Sequence, residues 1–184
     1  MFYIKKKRFE IFKKLFNSLL KRHLHKIAKK KMLEEYEKRL IINSFDTVGN
    51  SINIDGGYEL DYLETLKKYL DINYKEVENK TALDVGAYIG THSVFYSKMF
   101  KKVISFEPHP KSFEILKLNS KEFKNIEIFN LGCSNNNYTA NLRGKHTNIG
   151  GSTITNEESI YNHEINLVKL DDKLLKYDEK IGLL

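Results

Sequence analysis

The residues Asp84-Val85-Gly86-Ala87-Tyr88-Ile89-Gly90-Thr91 run from an apolar strand through a glycine-bearing turn into a helix that begins Thr91-His92-Ser93. Turns of this kind hold nucleotides, because glycine lets a ligand approach the main chain and accepts dihedrals that a side chain resists. The spacing Gly-x-x-x-Gly is common by itself. Here the next apolar run closes on Phe106-Glu107-Pro108, with Glu107 placed 17 residues after Gly90. A carboxylate at that strand end can accept both hydrogen bonds of an adenosine ribose.

The turn also discriminates among adenosine cofactors. A dinucleotide pyrophosphate needs the middle of the turn bare, and Tyr88 fills it. S-adenosylmethionine has no phosphate. Its methionine end needs a partner for an ammonium, which Asp84 can be, and a main-chain donor for a carboxylate, which the turn amides can supply. S-adenosylmethionine is therefore the expected cofactor. Metal is not expected, since the adjacent Asp171 and Asp172 at a helix start suit capping better than ligation.

Through Asp84-Val-Gly-Ala-x-Ile-Gly, then Phe106-Glu-Pro, then Leu170-Asp171-Asp172, the sequence resembles the FkbM-like S-adenosylmethionine-dependent methyltransferases, with Tyr88 where that family usually has Asn. The resemblance covers roughly Gly57 to the end. It implies that Asp84, Gly86, Ala87, Tyr88, Gly90 and Thr91 line the methionine end, that Glu107 holds the ribose, and that Cys133 or Ser134 borders the adenine. It implies transfer of a methyl group to a hydroxyl of a small molecule or glycan. The alternatives are an inactive cofactor-binding remnant, or a membrane-surface or nucleic-acid binder acting through the N-terminal helix. The family continues beyond the segment Lys180-Ile-Gly-Leu-Leu184, so a truncated product ending inside the fourth core strand is expected, with that apolar edge open to association with another chain.

These residues need a sheet and helices to position them. Short apolar runs near Ala82 to Val85, Val103 to Phe106, Ile126 to Asn130 and Ile165 to Lys169 alternate with helical segments near Thr91 to Phe100 and Pro110 to Glu122, the pattern of βαβ units around a parallel sheet. The expected fold is α/β: an incomplete class I methyltransferase fold, with a Rossmann-like, partly parallel sheet flanked by helices over residues 81–184. Residues 132–162 lack a helical period and are expected to form a small hairpin and a loop over the sheet edge, with Gly150-Gly151-Ser152-Thr153 as a candidate acceptor-side loop. Residues 46–80 are expected to hold a hairpin-like connector, Asn43 to Gly57, and a helix from Leu60 to Tyr69. His92, His109, His146 and His163 are expected in solvated loops or turns, and no catalytic base is singled out.

Residues 1–45 form a basic helical extension. Phe9, Phe12, Phe16, Leu19, Leu20, Leu24 and Ile27 recur at steps of three and four, and the other side is mostly lysine. Such a helix packs on its own domain or a partner, or lies on an anionic membrane through residues 1–31. Most of the net charge of +7 sits there, in twelve Lys or Arg against Glu10, so it gives no strong nucleic-acid signal for the α/β part. The single cysteine excludes an internal disulfide framework, and no uninterrupted apolar run is long enough to span a bilayer. A cytoplasmic location, membrane-peripheral if the helix binds lipid, is expected.

Overall fold

The computed structural model describes residues 2–44, 46–74, 76–145, 148–155, 162–175, 177 and 180–184. His146 lies outside them. Four parallel strands make the core sheet: β1 (Thr81–Val85), β2 (Lys102–Phe106), β3 (Ile126–Phe129) and β8 (Ile181–Leu183), in the order β3-β2-β1-β8. Helix α4 (Thr91–Tyr96) connects β1 to β2, and α5 (Pro110–Ser120) connects β2 to β3. Both crossovers are βαβ units, so the sheet is Rossmann-like as expected. Successive strands step outward from β1 to β3, while β8 adds on the other side of β1. The strand order therefore reverses at β1, and the crevice at the carboxyl end of β1 is where open α/β sheets bind ligands.

A second sheet, β4-β7-β5-β6, joins β4 (Gly132–Ser134), β5 (Tyr138–Lys145), β6 (Asn148–Thr155) and β7 (Asn162–Lys169). The expected hairpin is β5 against β6, but it is built into this sheet through β7, which pairs antiparallel with β5 and parallel with β4. Gly150 to Thr153 thus belong to strand β6 and not to a loop. Asp171 and Asp172 stand in the first turn of the short helix α6 (Leu170–Leu174).

The N-terminal third is helical throughout. Helix α1 runs Phe2–Tyr36, α2 Thr47–Asp55 and α3 Leu60–Asn73. Helix α2 replaces the connector expected between Asn43 and Gly57. Asp46 caps its start by accepting from the Gly49 amide at 2.5 Å, and Gly56, with φ +83°, closes its end. A Cβ at Gly56 would lie 2.5 Å from the Ala28 carbonyl oxygen, so the glycine also allows α2 to end against α1. Val48 and Ile52, one turn apart, bury the inner face. Helix α1 stops where Glu37 turns left-handed, and Lys98 of the 97–100 segment donates to the Glu34 and Glu35 carbonyls, which have no partner inside the helix.

One apolar cluster ties these helices to the sheet: Tyr36, Leu40, Val48, Ile52, Leu60, Leu63 and Leu70 pack with Ala82, Ile89, Val94, Phe100 and Val103. A smaller cluster of Leu83, Ile104 and Phe106 packs against Phe129, Leu131, Cys133, Leu170 and Leu174. No helix among the described residues is long and apolar enough to cross a membrane.

Candidate functional site

The glycine turn follows the last residue of β1. Gly86 (φ +84°), Tyr88 (φ +52°) and Gly90 (φ +86°) all take left-handed dihedrals, which turn the chain sharply from strand to helix. Tyr88 bears a side chain in that region, and long-range bonds hold it there. Its amide donates to Glu107 Oε2 at 2.8 Å, its hydroxyl donates to Asp46 Oδ2, and the Asn43 amide donates to the Tyr88 oxygen at 2.6 Å. The tyrosine ring therefore points to the N-terminal helices as a strut. Burial and the Asp46 carboxylate push its hydroxyl pKa up.

Gly86 faces open space, with no heavy atom within 4 Å of where a Cβ would stand. Beside it lies a cleft of about 230 Å³ lined by Thr47, Val48, Tyr58, His92, Gly150 and Gly151 with the turn residues Gly86 to Tyr88 and Thr91. The sequence marked Gly86, Ala87, Tyr88 and Thr91; the fold brings Gly150 and Gly151 to them from β6 and Tyr58 from the segment before α3. The cleft is smaller than the roughly 300–1,000 Å³ of ordinary small-molecule pockets.

Asp84 and Glu107 lie next to the turn without lining the cleft. Asp84 is buried on β1 and accepts from the Ser93 hydroxyl at 2.5 Å, which in turn accepts from Ser105 at 2.9 Å. Burial raises the Asp84 pKa, and no lysine or arginine pairs with it among the described residues. Glu107 is 6% exposed at the end of β2. Its oxygens accept from the Tyr88 amide at 2.8 Å and the His109 amide at 2.7 Å. These amides favour the charged form, yet burial outweighs them and pushes the carboxyl up to about 7.

The turn amides differ from expectation. Gly86 and Ala87 both donate to the Phe106 carbonyl, Tyr88 donates to Glu107, and Gly90 donates to Ala87. A buried amide without a partner is costly, so the fold satisfies these four internally instead of leaving them for a ligand carboxylate. Gly90 has a packing role: a Cβ there would meet Leu116 Cδ1 at 2.6 Å.

Cys133 and Ser134 sit on β4, outside the cleft lining. The Cys133 thiol packs in the apolar cluster around Phe106, and burial pushes it up to about 11. Ser134 bonds with its neighbours Asn135 and Tyr138 at the surface.

Three of the four histidines, His92, His109 and His163, also depart from the solvated loops or turns expected of them. His92 lies on α4 and lines the cleft. Its Nε2 stands 3.3 Å from Glu59 Oε2, close enough for an ion pair with a protonated ring but without hydrogen-bond alignment, and Tyr58 stacks on it at 6.2 Å. His109 is buried at the α5 N-terminus against His163 of β7, with ring centroids 4.7 Å apart, and burial lowers it to about 4. The signal for His92 was its place two residues after Gly90, at the start of the helix that leaves the turn. Its Glu59 and Tyr58 neighbours come from a distant segment and had no sequence signature.

No family profile matches the chain, and no curated protein matches it. Among solved structures, a Pyrococcus horikoshii protein described as an RNA methyltransferase is 23% identical over 55% of this chain and 50% of its own, with a TM-score of 0.37. The FkbM methyltransferase of Methylobacillus flagellatus is 13% identical over 78% of this chain and 38% of its own, with a TM-score of 0.34. An S-adenosylmethionine-dependent methyltransferase from Leishmania major is 15% identical over 58% and 47%, with a TM-score of 0.30. The chain thus spans half or less of each of these proteins.

Proposed function

We propose that this protein is an S-adenosylmethionine-dependent methyltransferase acting on a hydroxyl of a small molecule or glycan. The observation that carries the proposal is the pairing of the open left-handed Gly86 turn with Glu107, bonded to that turn at the end of the neighbouring strand. The residues fit the cofactor at three points. Asp84 is a buried carboxylate that no lysine or arginine pairs among the described residues, with His92 as its charged neighbour, and an ammonium would relieve its desolvation. Gly86 leaves bare backbone where the methionine end would lie. Glu107 retains lone pairs for two ribose hydroxyls. Because Asp84 and Glu107 are both covered and stand outside the cleft lining, cofactor binding at either carboxylate requires local rearrangement.

Bound S-adenosylmethionine would supply a methyl group on a sulfonium, already activated for displacement. What remains for the protein is to align the acceptor, exclude water and take the acceptor proton. His92 is suited to the last task, since it lines the cleft and the Glu59 carboxylate stands 3.3 Å from its Nε2.

Calorimetric titration with S-adenosylhomocysteine tests the cofactor, with Glu107→Ala as control and NADH as the competing dehydrogenase ligand. Saturable binding that Glu107→Ala weakens is the expected result. A folded chain that binds NADH, or neither ligand, would sink the proposal. Given binding, His92→Ala is expected to leave it unchanged while removing most methyl transfer in an acceptor screen. Binding without transfer to any acceptor would point instead to an inactive cofactor-binding protein.

A further inference from the structure

The N-terminal half of α1 carries an uncovered apolar stripe. Phe12, Leu15, Phe16 and Leu19, spaced by three and four, are 56% to 66% exposed. The helix meets the folded body farther along, where Ala28 and Tyr36 are buried and Met32 packs against the main core. Seven residues make close to two helical turns, so stepping back by sevens follows one side of α1. From Ala28 this leads to Lys21 and Lys14, from Met32 to His25 and Ser18, and from Tyr36 to Lys29, Arg22 and Leu15, the last drifting by about 20° per step to the edge of the stripe. The side of the free half that continues the body-facing row is therefore basic and polar. The stripe of Phe12, Leu15, Phe16 and Leu19 falls on the roughly opposite side, away from the body.

That arrangement suits a helix lying in a membrane interface: apolar side down, folded body on the water side. Lys13 stands beside the stripe, Arg22 and Lys26 follow Leu15 and Leu19 seven residues on, and all three are exposed, with aliphatic stems that can lie along an apolar surface while their charges reach headgroups. Charge selects the surface. Residues 1–31 hold twelve Lys or Arg and one acid, which complements anionic lipid and opposes pairing with a second copy of the same helix.

We propose that α1 docks the protein on an anionic lipid surface, with Phe12, Leu15, Phe16 and Leu19 inserted at the headgroup level. The docking stands apart from the methyltransferase proposal and does not need it. The full chain is cosedimented with vesicles of phosphatidylcholine alone and of phosphatidylcholine mixed with phosphatidylglycerol. Binding to the mixed vesicles only, weakened by added salt, is expected. The double variant Phe12→Glu with Phe16→Glu should lose at least about tenfold in vesicle affinity and keep the parent melting temperature, because both side chains are exposed. Undiminished binding by that variant would leave charge alone as the cause and overturn insertion. Two further results would also overturn the proposal: self-association that the variant abolishes in a chain that ignores vesicles, and binding to a DNA or RNA duplex without binding to anionic vesicles.

Discussion

Glu107→Ala removes the acceptor for two amides and the anchor for a ribose. Hydrogen bonds to a charged group are worth about 1.5–3 kcal/mol, so S-adenosylhomocysteine affinity should fall at least about tenfold by calorimetry. The same residue sets a pH signature. Burial raises its pKa from 4.5 to about 7, so the folded chain holds the proton more tightly than the unfolded one. The resulting stabilisation is full below pH 4.5 and is lost as pH rises through about 7. Thermal melts should fall between pH 5 and 8 more in the parent than in Glu107→Ala, whereas cofactor affinity should rise over that range as the accepting carboxylate forms. Tyr88→Phe tests a different role. Loss of the hydroxyl leaves buried Asp46 and Asn43 short of a partner, and urea unfolding should show a loss of about 1–3 kcal/mol. The sequence placed Tyr88 in the turn but carried no sign of this strut, since Asp46 is 42 residues away.

At the scale of elements, Asn119 joins three segments. Fully buried on α5, it donates to the Ile41 carbonyl at 2.9 Å and the Ile89 carbonyl at 2.8 Å, and accepts from the Ile41 amide at 2.8 Å. Asn119→Ala would leave all three main-chain groups unpaired, and a loss of about 2–4 kcal/mol is expected in chemical denaturation. Strands β1, β2 and β3 were legible to within a residue because an apolar run bounded by turn residues has few alternatives. Helix α2 was misread. Its Asn, Gly and Ser content suggests turns, but Asp46 and Gly56 are helix punctuation at its two ends, and Val48 and Ile52 are one turn apart. Packing against α1 overrides its weak propensity. The second sheet was half legible: its hairpin carries a local signal, but the pairing of β7 with β4 and β5 is long-range.

For the whole molecule, one core decides where the chain can be cut. The exposed residues 10–26 contribute nothing to it, whereas Tyr36, Leu40, Val48 and Ile52 share a cluster with Ala82, Ile89 and Val94. Deleting residues 1–26 should leave the melting temperature within about 2 °C. Deletion through Asp55 strips the sheet of that cover and should abolish the cooperative transition, as read by calorimetric melting.

The sequence by itself determined the strand-turn-helix at Asp84 to Thr91, the acidic end of the next strand and the amphipathic character of α1, because each is written in a few neighbouring residues and a short period. Tertiary structure alone decided that the turn amides are spent inside the protein, that His92 meets Glu59, that Gly150 and Gly151 line the cleft, and that the apolar stripe of α1 faces away from the body. These features depend on which distant segments meet. Residues far apart in the chain leave no local pattern of that meeting, and only the burial of a shared core fixes it.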